Sequence, residues 1–129
     1  MDRLGVMRTF RTKHFTVTAE ALEEHDLDLS CDDDGSVREG LENGQFIAFT
    51  AHVYVTLNGR IIGEDYLGDC IYRDFEDFMN HKECGKQNRE WAAQGKEGRC
   101  GSYFSDMIHE AISEARKTLK SERAIYVRA

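Results

Sequence analysis

The feature that most narrows what this chain can become is an alternating run that ends in a tight turn. In Gln45–Leu57 the odd positions Ile47, Phe49, Ala51, Val53, Val55 and Leu57 are all apolar, and Thr50, His52, Tyr54 and Thr56 stand between them. Successive side chains of a strand point to opposite faces, so the pattern predicts a strand with one buried face and one polar face. Asn58-Gly59 follows, a pair that tolerates the positive φ angles of a two-residue hairpin turn. The chain is therefore predicted to fold back, with a return strand from Arg60 to about Tyr72. In an uninterrupted hairpin of this kind Val55 faces Ile62, Ala51 faces Tyr66, Ile47 faces Cys70 and His52 faces Asp65.

Such a hairpin needs a second layer to cover its apolar face. A helix from Ser102 or Ser105 to about Lys120 supplies one. Phe104, Ile108, Ala111, Ile112, Ala115 and Leu119 recur with the helical period of about 3.6 residues. Asp106 falls in its first turn and Arg116, Lys117 and Lys120 fall near its end, as the helix dipole favours. Residues 8–19 read as a first strand, with Phe15 and Val17 alternating with Thr16 and Thr18. A short helix is predicted after Asp34, with Val37 and Leu41 four residues apart and Gly44 beyond its end. Another is predicted over Asp74–His81, with Phe75, Phe78 and Met79 as its apolar face. Ala124–Val127 reads as a terminal strand, and the glycine-interrupted stretch 83–101 reads as a long loop. The expected fold class is α+β, an antiparallel sheet of three to four strands with a central hairpin, packed against one long C-terminal helix and short helices. At 129 residues the chain is expected to form one domain, 1–129.

Charge is unevenly spread. From Glu20 to Glu42 there are ten carboxylates and one base, Arg38, a net −9 against −7 for the whole chain. Like charges at this density repel and stay in solvent. The segment is expected to act as a partner-binding surface through Asp26, Asp28, Asp32, Asp33, Asp34, Glu39 and Glu42. One-signed surfaces attract basic partners and discourage direct binding of nucleic acid. As freely solvated charges, Asp32, Asp33 and Asp34 are expected to tolerate asparagine with little change in stability. No apolar run approaches the roughly 20 residues of a membrane span, and the first residues lack the apolar core of a secretory signal. Cys31, Cys70, Cys84 and Cys100 are then expected to be reduced thiols of a cytoplasmic protein. A homodimer is compatible with the sequence.

Few residues suggest chemistry. Ser30, Asp32, Asp34 and Gly35 fall on part of a calcium-loop pattern, but position twelve is Leu41 and the bidentate glutamate is missing. His81, Cys84 and Cys100, with Cys70 as a fourth candidate, have ligand types suited to zinc but no recognised zinc spacing. His52 with Glu64 and Asp65 could form an acid/base set on the solvent face of the sheet, although cross-strand pairs of this kind more often only stabilise it. No nucleophile elbow, phosphate loop, dinucleotide fingerprint or zinc-protease motif is present. The expectation is a non-enzymatic binding protein without a metal or cofactor. The alternative is a metal- or small-ligand-binding accessory domain centred on the His81–Cys100 loop.

Three stretches carry a resemblance: Phe15-Thr16-Val17-Thr18-Ala19-Glu20-Ala21-Leu22, Asp65-Tyr66-Leu67-Gly68-Asp69-Cys70-Ile71-Tyr72 and Gly101-Ser102-Tyr103-Phe104-Ser105-Asp106-Met107-Ile108. Together they resemble small proteins of bacteriophages and other bacterial mobile elements, a group with no assigned activity, over about a fifth of the chain. The resemblance implies a bacterial cytoplasm as the setting. With the acidic segment, it implies a phage-type inhibitor or modulator of a basic host protein that handles nucleic acid or serves in defence. It transfers no site residue.

Overall fold

The computed structural model describes residues 2–30, 32–80 and 102–128. Four strands run in chain order across one antiparallel sheet: β1 (Arg3–Arg11), β2 (Thr16–Leu22), β3 (Ile47–Leu57) and β4 (Arg60–Tyr72). Helix α1 (Ser36–Glu42) lies in the β2–β3 connection, α2 (Phe75–Asn80) follows β4, and the long helix α3 spans Tyr103–Arg128. This is the expected α+β class.

The β3–β4 hairpin forms as the sequence predicts, with Asn58 and Gly59 at φ of 52° and 78°. Its register does not. Thr56 pairs with Ile61, but Val55 pairs with Gly63, so Ile62 is an extra residue on β4. A second irregularity lies between the Ala51–Leu67 and Phe49–Cys70 pairs, with Asp69 held at φ 53°. Each bulge slides the pairing by one residue. His52 therefore faces Tyr66 instead of Asp65, Ala51 faces Leu67, and Ile47 faces Tyr72. β1 also carries two irregularities against β2, where Leu4 and Met7 are the extra residues. The β2–β3 pairing between the two inner strands is uninterrupted.

The predicted strand over 8–19 proves to be parts of two. Residues 12–15 turn the chain without Gly, Pro, Asn or Asp. The Thr12 hydroxyl does the work of a turn residue, accepting the amide of Phe15 at 3.2 Å and donating to the Phe15 carbonyl at 3.1 Å. The predicted terminal strand at 124–127 is instead a continuation of α3. Helix propensity of the preceding turns outweighs the β-branched and aromatic residues there. The predicted loop 83–101 lies outside the described residues.

One face of the sheet holds the core. Val17, Ala19, Ala21, Phe49, Ala51, Val53 and Val55 are all buried on it. α3 presents Phe104, Met107, Ala111 and Ala115 to this face. The helix sits unusually close at Gly63, where a Cβ would land on the backbone of Ala111 and Ala115. Phe49, Phe75, Phe78 and Phe104 close one end with edge-on ring contacts 5.3–5.8 Å apart. The Cys70 thiol is buried among them and donates to the Leu67 carbonyl at 3.3 Å.

Capping follows the sequence at α2 and α3 but not at α1, where Gly35 and not Asp34 is the N-cap residue. Ser102 caps α3 by accepting the Ser105 amide at 3.0 Å, and Asp74 caps α2 by accepting the Asp77 amide at 2.7 Å.

Candidate functional site

Two polar constellations emerge, and one of them was only partly visible in the sequence. The first lies on the sheet face opposite α3. Glu20 of β2, His52 of β3 and Tyr66 of β4 stand in one cross-strand row. His52 Nδ1 lies 2.9 Å from Glu20 Oε1, and its Nε2 lies 2.8 Å from Glu64 Oε2. Arg3 Nε donates to the other Glu20 oxygen at 2.6 Å, and the Arg3 guanidinium reaches the Tyr54 hydroxyl at 3.3 Å. The Tyr66 ring stacks on the imidazole with centroids 4.0 Å apart and planes 5° from parallel.

Both ring nitrogens face carboxylate oxygens, and a neutral imidazole has only one N–H to donate. Which nitrogen carries it decides which carboxylate receives the bond, and Arg3 sets a positive charge beside Glu20. Burial raises the affinity of Glu20 for a proton, but the hydrogen bonds from His52 and Arg3 together outweigh it, so its carboxyl titrates below the usual glutamate range. The Tyr66 hydroxyl is pushed upward, first by burial and then by the charge of Glu64.

The acid/base set expected from the sequence is corrected here. Glu64 joins His52, but Asp65 does not. The bulge at Ile62 turns Asp65 to the helix side, where burial first, and then the charges of Glu110 and Glu114, raise its pKa. The imidazole has no nitrogen left for a substrate, and its side chain is only 7% exposed. The cluster ties β2, β3 and β4 together across the sheet. Sequence reasoning missed Arg3 and Glu20 as its members. Glu20 was detectable in principle, because it has the parity of the polar positions Thr16 and Thr18.

The second constellation is the acidic β2–β3 connection. Here the structure sorts the carboxylates into two kinds. Some fold the segment. Glu24 accepts the Thr50 hydroxyl at 2.8 Å and the Asp69 amide at 2.9 Å, pinning the connection to the second bulge of β4. These bonds, the Asp69 amide foremost, hold its carboxyl below the usual range. Asp28 accepts the Ser30 amide at 2.9 Å, and the Asp28 amide itself donates to Asp69 at 3.3 Å. Asp34 accepts the Ser36 amide at 3.0 Å. The two oxygens of Asp32 take the Val37 and Arg38 amides at 3.1 Å each, capping the first turn of α1, whose N-cap residue Gly35 has no side chain to do so.

Asp32 and Asp34 are thus structural acceptors as well as charges, which corrects the expectation that they are freely solvated. Asp33, Glu39 and Glu42 are exposed, as is Asp26, and none of these four carboxylates has a partner among the described residues.

Of the zinc candidates, His81, Cys84 and Cys100 lie outside the described residues, and Cys70 is in the core. Among the described residues no group of three His, Cys, Asp or Glu side chains is placed to hold a metal ion. No described helix is long and apolar enough to cross a membrane. No family model matches the chain, and neither a curated protein nor a solved structure does.

Proposed function

We propose that this chain is a non-catalytic binding protein whose acidic β2–β3 connection engages a basic protein partner. One observation carries the reading. Asp26, Asp33, Glu39 and Glu42 stand exposed and without internal partners, on a segment whose backbone is fixed by Glu24, Asp28, Asp32 and Asp34. A charged surface that is already ordered loses little conformational entropy on binding. It also draws an oppositely charged partner from a distance, which raises the association rate.

Proteins that handle nucleic acid carry basic surfaces of the kind such a segment would attract. With the resemblance to bacteriophage and mobile-element proteins, this makes a host nucleic-acid-handling or defence protein the partner class, and inhibition or modulation by occupying its basic surface the mode. The His52 cluster supports the same non-catalytic reading, because its nitrogens are consumed internally.

The test separates recognising carboxylates from structural ones. The fourfold variant Asp26→Asn, Asp33→Asn, Glu39→Gln, Glu42→Gln should keep the melting temperature of the wild type. Partners captured from a bacterial lysate by the wild type, identified by mass spectrometry and purified, should associate with the variant at least about tenfold more slowly. Dissociation should change less. The difference should vanish toward 1 M salt, where the Debye length is about 3 Å. Equal association rates across the salt titration would leave the segment as a solubilising connection and remove the proposal.

A further inference from the structure

The end of the sheet opposite the acidic connection has the reverse chemistry. There the β1–β2 turn, the end of β3 and the C-terminal half of α3 enclose an open cavity of about 830 Å³. Phe15, Leu57, Ile112 and Leu119 supply its apolar lining. These side chains are continuous with the core, Phe15 as a member and the others packed against it. Around them stand Lys13, Arg116, Lys120 and Arg123. The only carboxylate in the lining, Glu122, is held by Arg60 at 2.6 Å. The four cations have no carboxylate partner among the described residues.

We propose that this cavity binds a single-chain amphipathic anion, an acyl chain bearing a carboxylate or phosphate head. The volume lies in the range of about 300–1,000 Å³ typical of small-molecule sites. An apolar surface next to water is relieved by covering it with hydrocarbon. Four like charges around one opening raise the local potential and select a negative head group. Neither feature alone specifies the ligand, but together they call for both parts in one molecule. A nucleic-acid strand fits less well, since successive bases stack on several accessible aromatic faces; of the two rings in the lining only His14 is exposed, while Phe15 is 9% exposed. The inference is independent of the acidic connection at the other end.

Calorimetry with dodecanoate and with dodecyl phosphate, each below its micellar concentration, tests it on the full chain. Saturable one-to-one binding is expected for both. Dodecyltrimethylammonium, acetate and inorganic phosphate should bind at least about tenfold more weakly, as each lacks one of the two parts. Arg116 and Lys120 are exposed on α3, so Arg116→Glu/Lys120→Glu should melt like the wild type and lose about tenfold or more in affinity. Should the double variant melt early, Lys13→Glu in the turn repeats the test outside the helix.

Absence of saturable binding by both amphiphiles would overturn the proposal. So would equal binding of the cationic amphiphile, or affinity unchanged by charge reversal, since either reduces the effect to nonspecific uptake. Binding only to phosphatidylglycerol vesicles would replace the cavity by a membrane-facing charge patch. Binding only of a synthetic peptide spanning residues 26–42, with neither amphiphile active, would replace it by a groove for acidic chains.

Discussion

The two faces of the sheet achieve the same dryness by opposite means. On the covered face, Val17, Ala19, Phe49, Val53 and Val55 are shielded by α3 and α2, and dryness comes from shape. On the other face neither helix is present, yet Glu20 and His52 are as buried as parts of the core. There the shielding is chemical. Arg3 and Glu64 neutralise the row from its flanks, and the ring of Tyr66 caps it, itself 51% exposed. Two carboxylates make the contrast sharp. Glu20, surrounded by donors, is held below the usual range, whereas Asp65, on the helix side near Glu110 and Glu114, is pushed above it. A strand face that no described helix covers thus keeps water out only where every charge is answered.

The contrast breaks most severely on the covered face. Val53→Asp places an unanswered charge at a fully buried position, and should cost about 4 kcal/mol or more, enough to unfold a marginal domain. Gly63→Val should rank close to it, because the helix backbone would have to retreat from β4. Denaturant unfolding followed by circular dichroism measures both. A normal midpoint for Val53→Asp would mean that the faces are assigned in reverse.

On the open face, His52→Ala removes the central hydrogen-bonding ring and leaves Glu20 and Glu64 facing each other. About 2–3 kcal/mol should be lost, less than for a fully buried pair because Glu64 is partly exposed. The triple variant Glu20→Thr, His52→Val, Glu64→Thr removes all three partners together and should lie within about 1 kcal/mol of the wild type. If the single and triple variants unfold at the same midpoint, the cluster is ordinary surface and the contrast between the faces disappears.

pH separates the two carboxylates by sign. Glu20 titrates lower in the folded chain than in the unfolded one. Its stabilisation is therefore present above the ordinary glutamate pKa and is lost as the pH falls through the lower folded value. Asp65 titrates higher when folded. It favours the folded state below the ordinary aspartate pKa, and that contribution is lost as the pH rises through the raised value. Accordingly Glu20→Gln should flatten the acid limb of a stability profile. Asp65→Asn, the smallest effect, should raise stability at neutral pH by a few tenths of a kcal/mol, since solvent screens a half-exposed group. Loss of stability at neutral pH in Asp65→Asn would point to a structural acceptor instead of an isolated charge.

What could be read in advance depended on whether the information was local. The β3–β4 hairpin was legible because period-two alternation meets Asn58-Gly59, and α3 was legible because its apolar stripe persists from Phe104 to Leu119. The β1–β2 turn was hidden, since Thr12 turns the chain with a hydroxyl and no conventional turn residue is present. The partners of His52 were hidden for a different reason. One extra residue at Ile62 decides whether Asp65 or Tyr66 stands opposite, and a bulge leaves no periodicity to detect. In the acidic segment composition showed the charge, but only the fold separates Asp32, which caps α1, from Asp33, which does not.

The placement of the bulges has a consequence for many molecules at once. All four extra residues lie on β1 and β4, the outer strands, while the β2–β3 pairing is regular. A regular outer strand offers an unpaired row of amides and carbonyls that a neighbouring chain can extend. Here each margin is interrupted twice, so its donors and acceptors fall out of step within a few residues. A second molecule cannot zip along either side without leaving groups unmatched. Interrupted margins of this kind work against edge-to-edge association, which straight margins would favour.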